Sequence, residues 1–89
     1  MTGPDRLAIV FDVVTELCEE HGRPVYRDMA HRACILDDRL TDEVTPGQVR
    51  ASIDYLVTAG TLRTSLVMDR WWLWPAIATD VLLDERAVA

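Results

Sequence analysis

Two cysteines and two histidines stand in mirror-image couples, Cys18-x2-His21 and His31-x2-Cys34. Each couple is spaced i, i+3, so on a helix its two members share a face. Two Cys with two His form a set able to hold zinc tetrahedrally. The surroundings favour a plainer role. Cys18 falls on an apolar helical stripe, where a thiol behaves as a small hydrophobe. His21 suits a last helical turn, which favours partial positive charge. Cys34 lies beside apolar positions, and the reach from His21 to His31 takes in a turn and most of a helix. The expectation is no metal, no disulfide framework and two reduced thiols.

Other chemistry is sparse. There is no glycine-rich phosphate loop and no nucleophile elbow. Asp37-Asp38 and Asp42-Glu43 read as acidic runs in a connector, and Ser52 and Ser65 have no histidine nearby in sequence. A chain of 89 residues has little room for a deep cleft. The expectation is a non-enzyme without cofactor or small-molecule substrate.

Charge is the oddest bulk property. All nine basic residues are Arg, against fifteen acids, for a net charge of −6. Lys and Asn are missing. This points to a GC-rich genome, and the Asp excess resembles a salt-in halophile, with an actinobacterium second. A carboxylate-rich surface is also a solubility device, and it does not advertise nucleic-acid binding. The N-terminus carries charge where a signal peptide needs an apolar run. The apolar clusters Leu7–Val14 and Trp71–Ile77 are too short to span a bilayer. One domain over residues 1–89, in the cytoplasm and off the membrane, is the expected setting.

The elements follow from periodicity. Leu7, Val10, Phe11, Val14, Leu17 and Cys18 make one helical face, predicting a helix from about Asp5 to His21 stopped by Gly22 and Pro24. Ile9 and Val13 form a second, narrower strip. A second helix is predicted over Tyr26–Asp38, burying Tyr26, Met29, Ala30, Ala33 and Leu36. The third has the strongest start signal: Thr45-Pro46-Gly47-Gln48 is a capping box with Pro at N1. Val49, Ile53, Leu56 and Val57 form its core stripe, and Gly60 stops it. Leu62–Leu66 and Trp71–Trp74 then read as a two-stranded hairpin around a polar tip at Met68-Asp69-Arg70. Pro75 ends the second strand and starts a short last helix with Ile77, Val81 and Leu82 on one side.

Three of the six aromatics, Trp71, Trp72 and Trp74, crowd that second strand. Alternation sends Trp72 and Trp74 to one face and Trp71 and Leu73 to the other. One pair can plug the core; the other is exposed unless something covers it. An exposed indole with an apolar neighbour suits an interface. The expectation is a homodimer through Ile9, Val13, Trp71, Ile77 and Val81, with cover by the last helix as the alternative.

Helix, helix, capped helix ending in Tyr55-Leu56-Val57-Thr58-Ala59-Gly60, then a hairpin closing on aromatics and Pro, resembles the winged helix-turn-helix domains of prokaryotic, and by composition haloarchaeal, transcription regulators. The resemblance covers roughly residues 7–75. It implies an α+β, mostly α fold: a three-helix core, a two-stranded wing and a short C-terminal helix. It also implies double-stranded DNA as partner, with the third helix in the major groove and the wing on the backbone or minor groove. Carried over, Thr45, Gln48, Ala51 and Tyr55 face DNA, with Arg50 on the flank and Arg63 and Arg70 on the wing. Gln48 is of a type that reads adenine with two hydrogen bonds. Two features depart from the family: a connector of about nine residues, Asp37–Thr45, where a tight turn has three or four, and a third helix poor in bases, with Asp54 set to repel phosphate. The alternative reading is a winged helix that serves as a protein–protein adaptor without DNA.

Overall fold

The structure is a computed structural model and describes residues 2–40 and 43–76. It is α+β and mostly helical: α1 (Gly3–His21), β1 (Val25–Tyr26), α2 (Arg27–Ile35), α3 (Pro46–Thr58), β2 (Leu62–Val67) and β3 (Arg70–Pro75). The expected last helix, with Ile77 and Val81, lies outside the described residues. Among those residues, no helix is long and apolar enough to cross a membrane.

Helix α1 starts two residues before the expected Asp5. Thr2 is its N-cap, the hydroxyl accepting the Asp5 amide at 3.2 Å, which leaves Asp5 as the first-turn acid. At the other end Gly22 takes φ 66° and Arg23 N–H donates to the Cys18 carbonyl. The chain therefore turns out of the helix onto Pro24 as expected. The buried face is rotated from the expected stripe: Val10, Val13, Val14 and Cys18 are inside, while Leu7, Phe11 and Leu17 are partly buried against them.

The hairpin expectation misses a strand. Val25 and Tyr26 pair antiparallel with β3, opposite Leu73 and Trp72, so the sheet has three strands in the order β1-β3-β2. This shortens α2, which begins at Arg27 and ends at Ile35. Tyr26 is extended with ψ 142° and is not a helical core residue. Met29 and Leu36, expected to be buried, are 37% and 72% exposed; Ala30 is buried and Ala33 partly buried as expected, and Cys34 joins them in the core. A two-residue strand carries too little periodicity to announce itself beside a helix.

Because β3 pairs on both sides, its alternation is fixed. Leu73 is fully buried, with Val25 and Thr64 beside it on the inner face. Tyr26, Ser65, Trp72, Trp74 and the strand arginines Arg63 and Arg70 fall on the outer side of the register, with Trp74 also packed in part against the core. The inner face packs on α1, where Cys18 Sγ donates to the Leu73 carbonyl at 3.5 Å. Ile53, Leu62, Val49, Val10 and Val14 complete a core whose large aliphatic members contribute about 1.5–3 kcal/mol each relative to exposure.

The long connector is anchored by Arg39. Its guanidinium binds both Glu16 oxygens on α1, at 3.0 and 2.5 Å, and both Asp37 oxygens at 2.9 Å. Leu40 then drops into the core. Asp37, expected in a solvated run, is thus a strut. Hydrogen bonding to Arg39 holds both carboxyls below their usual range.

A carboxylate whose pKa is lowered on folding stabilises the fold above its ordinary pKa and loses that contribution as pH falls through the lowered value. Arg39→Ala should therefore lower the thermal midpoint at about pH 7, and the gap to the native chain should close as the pH drops through about 4 and below. The hairpin tip gives a second test. Met68 and Asp69 have φ 53° and 65°, a two-residue turn with both central residues left-handed. Methionine is poorly suited to that conformation, so Met68→Asn should raise stability by about 0.5–1 kcal/mol in urea unfolding.

Candidate nucleic-acid interface

Helix α3 is held in place at three points. The capping box forms as the sequence implies: Thr45 Oγ1 accepts the Gln48 amide at 3.1 Å and Gln48 Oε1 accepts the Thr45 amide at 2.9 Å. His31 Nε2 lies 3.0 Å from the Pro46 carbonyl and donates to it, tying α2 to the start of α3. Ser52, 3% exposed, donates to the Gln48 carbonyl at 2.8 Å and accepts from Arg6 Nε at 3.1 Å, fixing α3 to α1. At its end Gly60 takes φ 81°, which releases the chain directly into β2.

With Val49, Ile53 and Leu56 buried, the opposite face is open. Gln48, Arg50, Ala51, Asp54 and Tyr55 are all exposed, Tyr55 by 60%. The expected residues Thr45, Gln48, Arg50, Ala51 and Tyr55 thus share one exposed helix. Their chemistry is not quite as expected. The Gln48 carbonyl oxygen already accepts one hydrogen bond in the capping box, which leaves it one lone pair and fixes the direction of the amide. Asp54 is not a free charge: Arg27, the first residue of α2, forms an ion pair with it. Arg27 carries no signal in the sequence, because the pair depends on β1 setting where α2 begins.

Arg63 and Arg70 stand apart from α3, on the outer face of the sheet. The Arg70 guanidinium lies 4.8 Å from the centre of the Tyr26 ring, and Trp72 packs on Tyr26 at 4.1 Å. A line of contacts therefore runs from the hairpin through Arg70 and Tyr26 to the adjacent Arg27 and on to Asp54 of α3. Between the start of α2 and the hairpin tip lies an open groove of about 450 Å³ that carries Arg27 and Arg70 but also Asp28 and Asp69. Beside the charged Asp69 and Arg70 the tip exposes apolar surface: Leu66, Val67, Met68 and Trp71 are 53%, 49%, 92% and 48% exposed.

Of the expected dimer contacts, Val13 is sealed in the core at 5% exposure and has no surface to offer a second chain. Ile9 is partly buried against the core, and Trp71 keeps half its surface. Ile77 and Val81 lie outside the described residues.

The thiols are structural. Cys18 and Cys34 are buried and unbridged. Burial pushes the Cys18 thiol up, and the Cys34 thiol up to about 12. Among the described residues no group of three or more His, Cys, Asp or Glu is placed to hold a metal ion.

The chain matches no protein-family model, no curated protein and no solved structure.

A thiolate is the reactive form, and these thiols stay protonated and shielded. Both cysteines should resist Ellman's reagent in the native chain at about pH 8 and react together on unfolding in guanidinium. Fast native reaction of Cys34 would contradict its placement.

Proposed function

We propose that this chain is a winged-helix regulator of transcription that binds double-stranded DNA, with α3 entering the major groove and the sheet serving as the wing. The observation that supports this most directly is the Arg27–Asp54 ion pair. It removes the main charge objection to α3. With Asp54 neutralised, Arg50 is the net charge of the exposed helix face, and it has no ionic partner among the described residues. Ala51 and Gly47 are small enough for close approach of the backbone to a groove, and Tyr55 projects beyond them. Few phosphate contacts are available on this acidic chain, so specificity rests on base contacts and groove shape.

The expected partner arrangement is a homodimer on paired half-sites, with Ile9 and Trp71 as the described residues that retain surface for it. A second reading, a winged helix that binds protein and not DNA, is favoured by the apolar surface exposed at the hairpin tip, where a phosphate-binding wing would carry more bases.

The test is selection of bound sequences from random duplexes, followed by anisotropy with the selected site. The salt slope should be no steeper than about −3, matching contacts from Arg50, Arg63 and Arg70. Arg27→Ala should weaken binding several-fold by exposing Asp54, and adding Asp54→Ala should restore it. No enrichment in the selection, at low or molar salt, would remove the DNA reading.

A further inference from the structure

The outer face of the sheet separates charge in a way the rest of the chain does not. The net charge is −6, yet arginine is the only charged residue type among the outward strand positions. Between the arginines runs an open slot of about 410 Å³ whose walls are apolar: Pro24, Val67, Trp72 and Trp74, with the Arg23 stem and Ser65 closing it. Register places Arg70 directly opposite Val67 at one end and Arg63 opposite Trp74 at the other. Arg23 is exposed along the side. The slot is thus a hydrophobic trough with a basic rim.

We propose that this face docks an acidic protein segment bearing apolar side chains, with its aliphatic or aromatic groups in the slot and its carboxylates on the arginine rim. Charge complementarity selects the partner. An acidic segment is repelled by most of this surface and attracted to the one sheet face whose charged strand residues are all basic, which directs both encounter and orientation. The apolar walls supply what a point-charge contact lacks, since burying an aliphatic or aromatic side chain contributes more than an exposed ion pair. A single-stranded nucleic acid shares the negative charge but fits the walls less well. Base stacking needs open ring faces, and the Tyr26 ring is already in contact with both Trp72 and Arg70. Pro24 and Val67 bound the slot with aliphatic surface suited to a branched side chain. The proposal uses none of the exposed residues of α3, but it shares the rim arginines Arg63 and Arg70 with the wing of the DNA reading, so the peptide and a duplex should compete for them.

The probe is a fluorescein-labelled synthetic peptide, Glu-Leu-Asp-Phe-Asp-Leu-Glu, titrated with the full chain and read by anisotropy and tryptophan fluorescence. Saturable binding is expected, weakened by about ten-fold in Val67→Asp and in the double variant Arg23→Glu, Arg70→Glu, and unchanged in Arg50→Ala. All these positions are exposed, so circular dichroism should show the variants folded. A peptide with Ser in place of Leu and Phe should not bind. Absence of saturable binding, or equal affinity for the native chain and Val67→Asp, would overturn the proposal. So would tighter binding of an oligo-thymidine strand with the same dependence on Val67. Peptide binding seen only after deletion of residues 77–89 would also overturn it, since the slot would then belong to this chain's own C-terminal residues.

Discussion

Strand β3 is hydrogen-bonded on both edges, and that double pairing constrains most of the molecule. Val25 and Thr64 lie on either side of Leu73, so a one-residue slip would turn Leu73 out and a tryptophan into the core. With Leu73 fixed inward, Cys18 can reach its carbonyl, and α1 packs on the inner face. Trp72 and Trp74 must then face outward with the strand arginines. Pairing to β1 also fixes Tyr26 in extended backbone, so α2 starts at Arg27 and that side chain meets Asp54. The electrostatics of α3 therefore depend on a two-residue strand in another part of the chain.

The features legible in the sequence are local. The box around Thr45 and Gln48, the glycines at 22 and 60, and the alternation of Trp72 and Trp74 against Leu73 are each set by neighbours within a few residues, and each is present in the structure. The features that stay hidden depend on tertiary pairing. Val25-Tyr26 is too short to show a period, so periodicity adds Tyr26, Met29 and Leu36 to a buried helical face that consists of Ala30, Ala33 and Cys34. Val13 shows the same limit: turning the core face of α1 by about 30°, at 100° per residue, brings it inside and leaves Phe11 at the edge. The exposed helix face of the candidate site is readable from the stripe of Val49, Ile53 and Leu56. Its charge is not, because no spacing rule links residue 27 to residue 54.

The chain distributes nine arginines among fifteen acids with a division of roles. Arg6 and Arg39 fasten elements to one another, through Ser52 and through Glu16 with Asp37. Arg27 cancels an acid on the helix face. Arg23, Arg63 and Arg70 collect around the outer sheet face. Exposed pairs of this kind add little stability individually. Their effect is to decide which surfaces of an acidic molecule can approach another polyanion: the α3 face, with Arg50, and the outer sheet.

Whether α3, through its exposed face, is the DNA-reading element is tested most directly by titrating isotopically labelled chain with a selected duplex and recording backbone amide shifts. The largest shifts are predicted in residues 45–58 and at the hairpin tip, with the outer-face slot residues Trp72 and Trp74 little changed. Shifts concentrated on the outer sheet face with α3 unmoved, or no shifts at saturating duplex, would contradict this assignment.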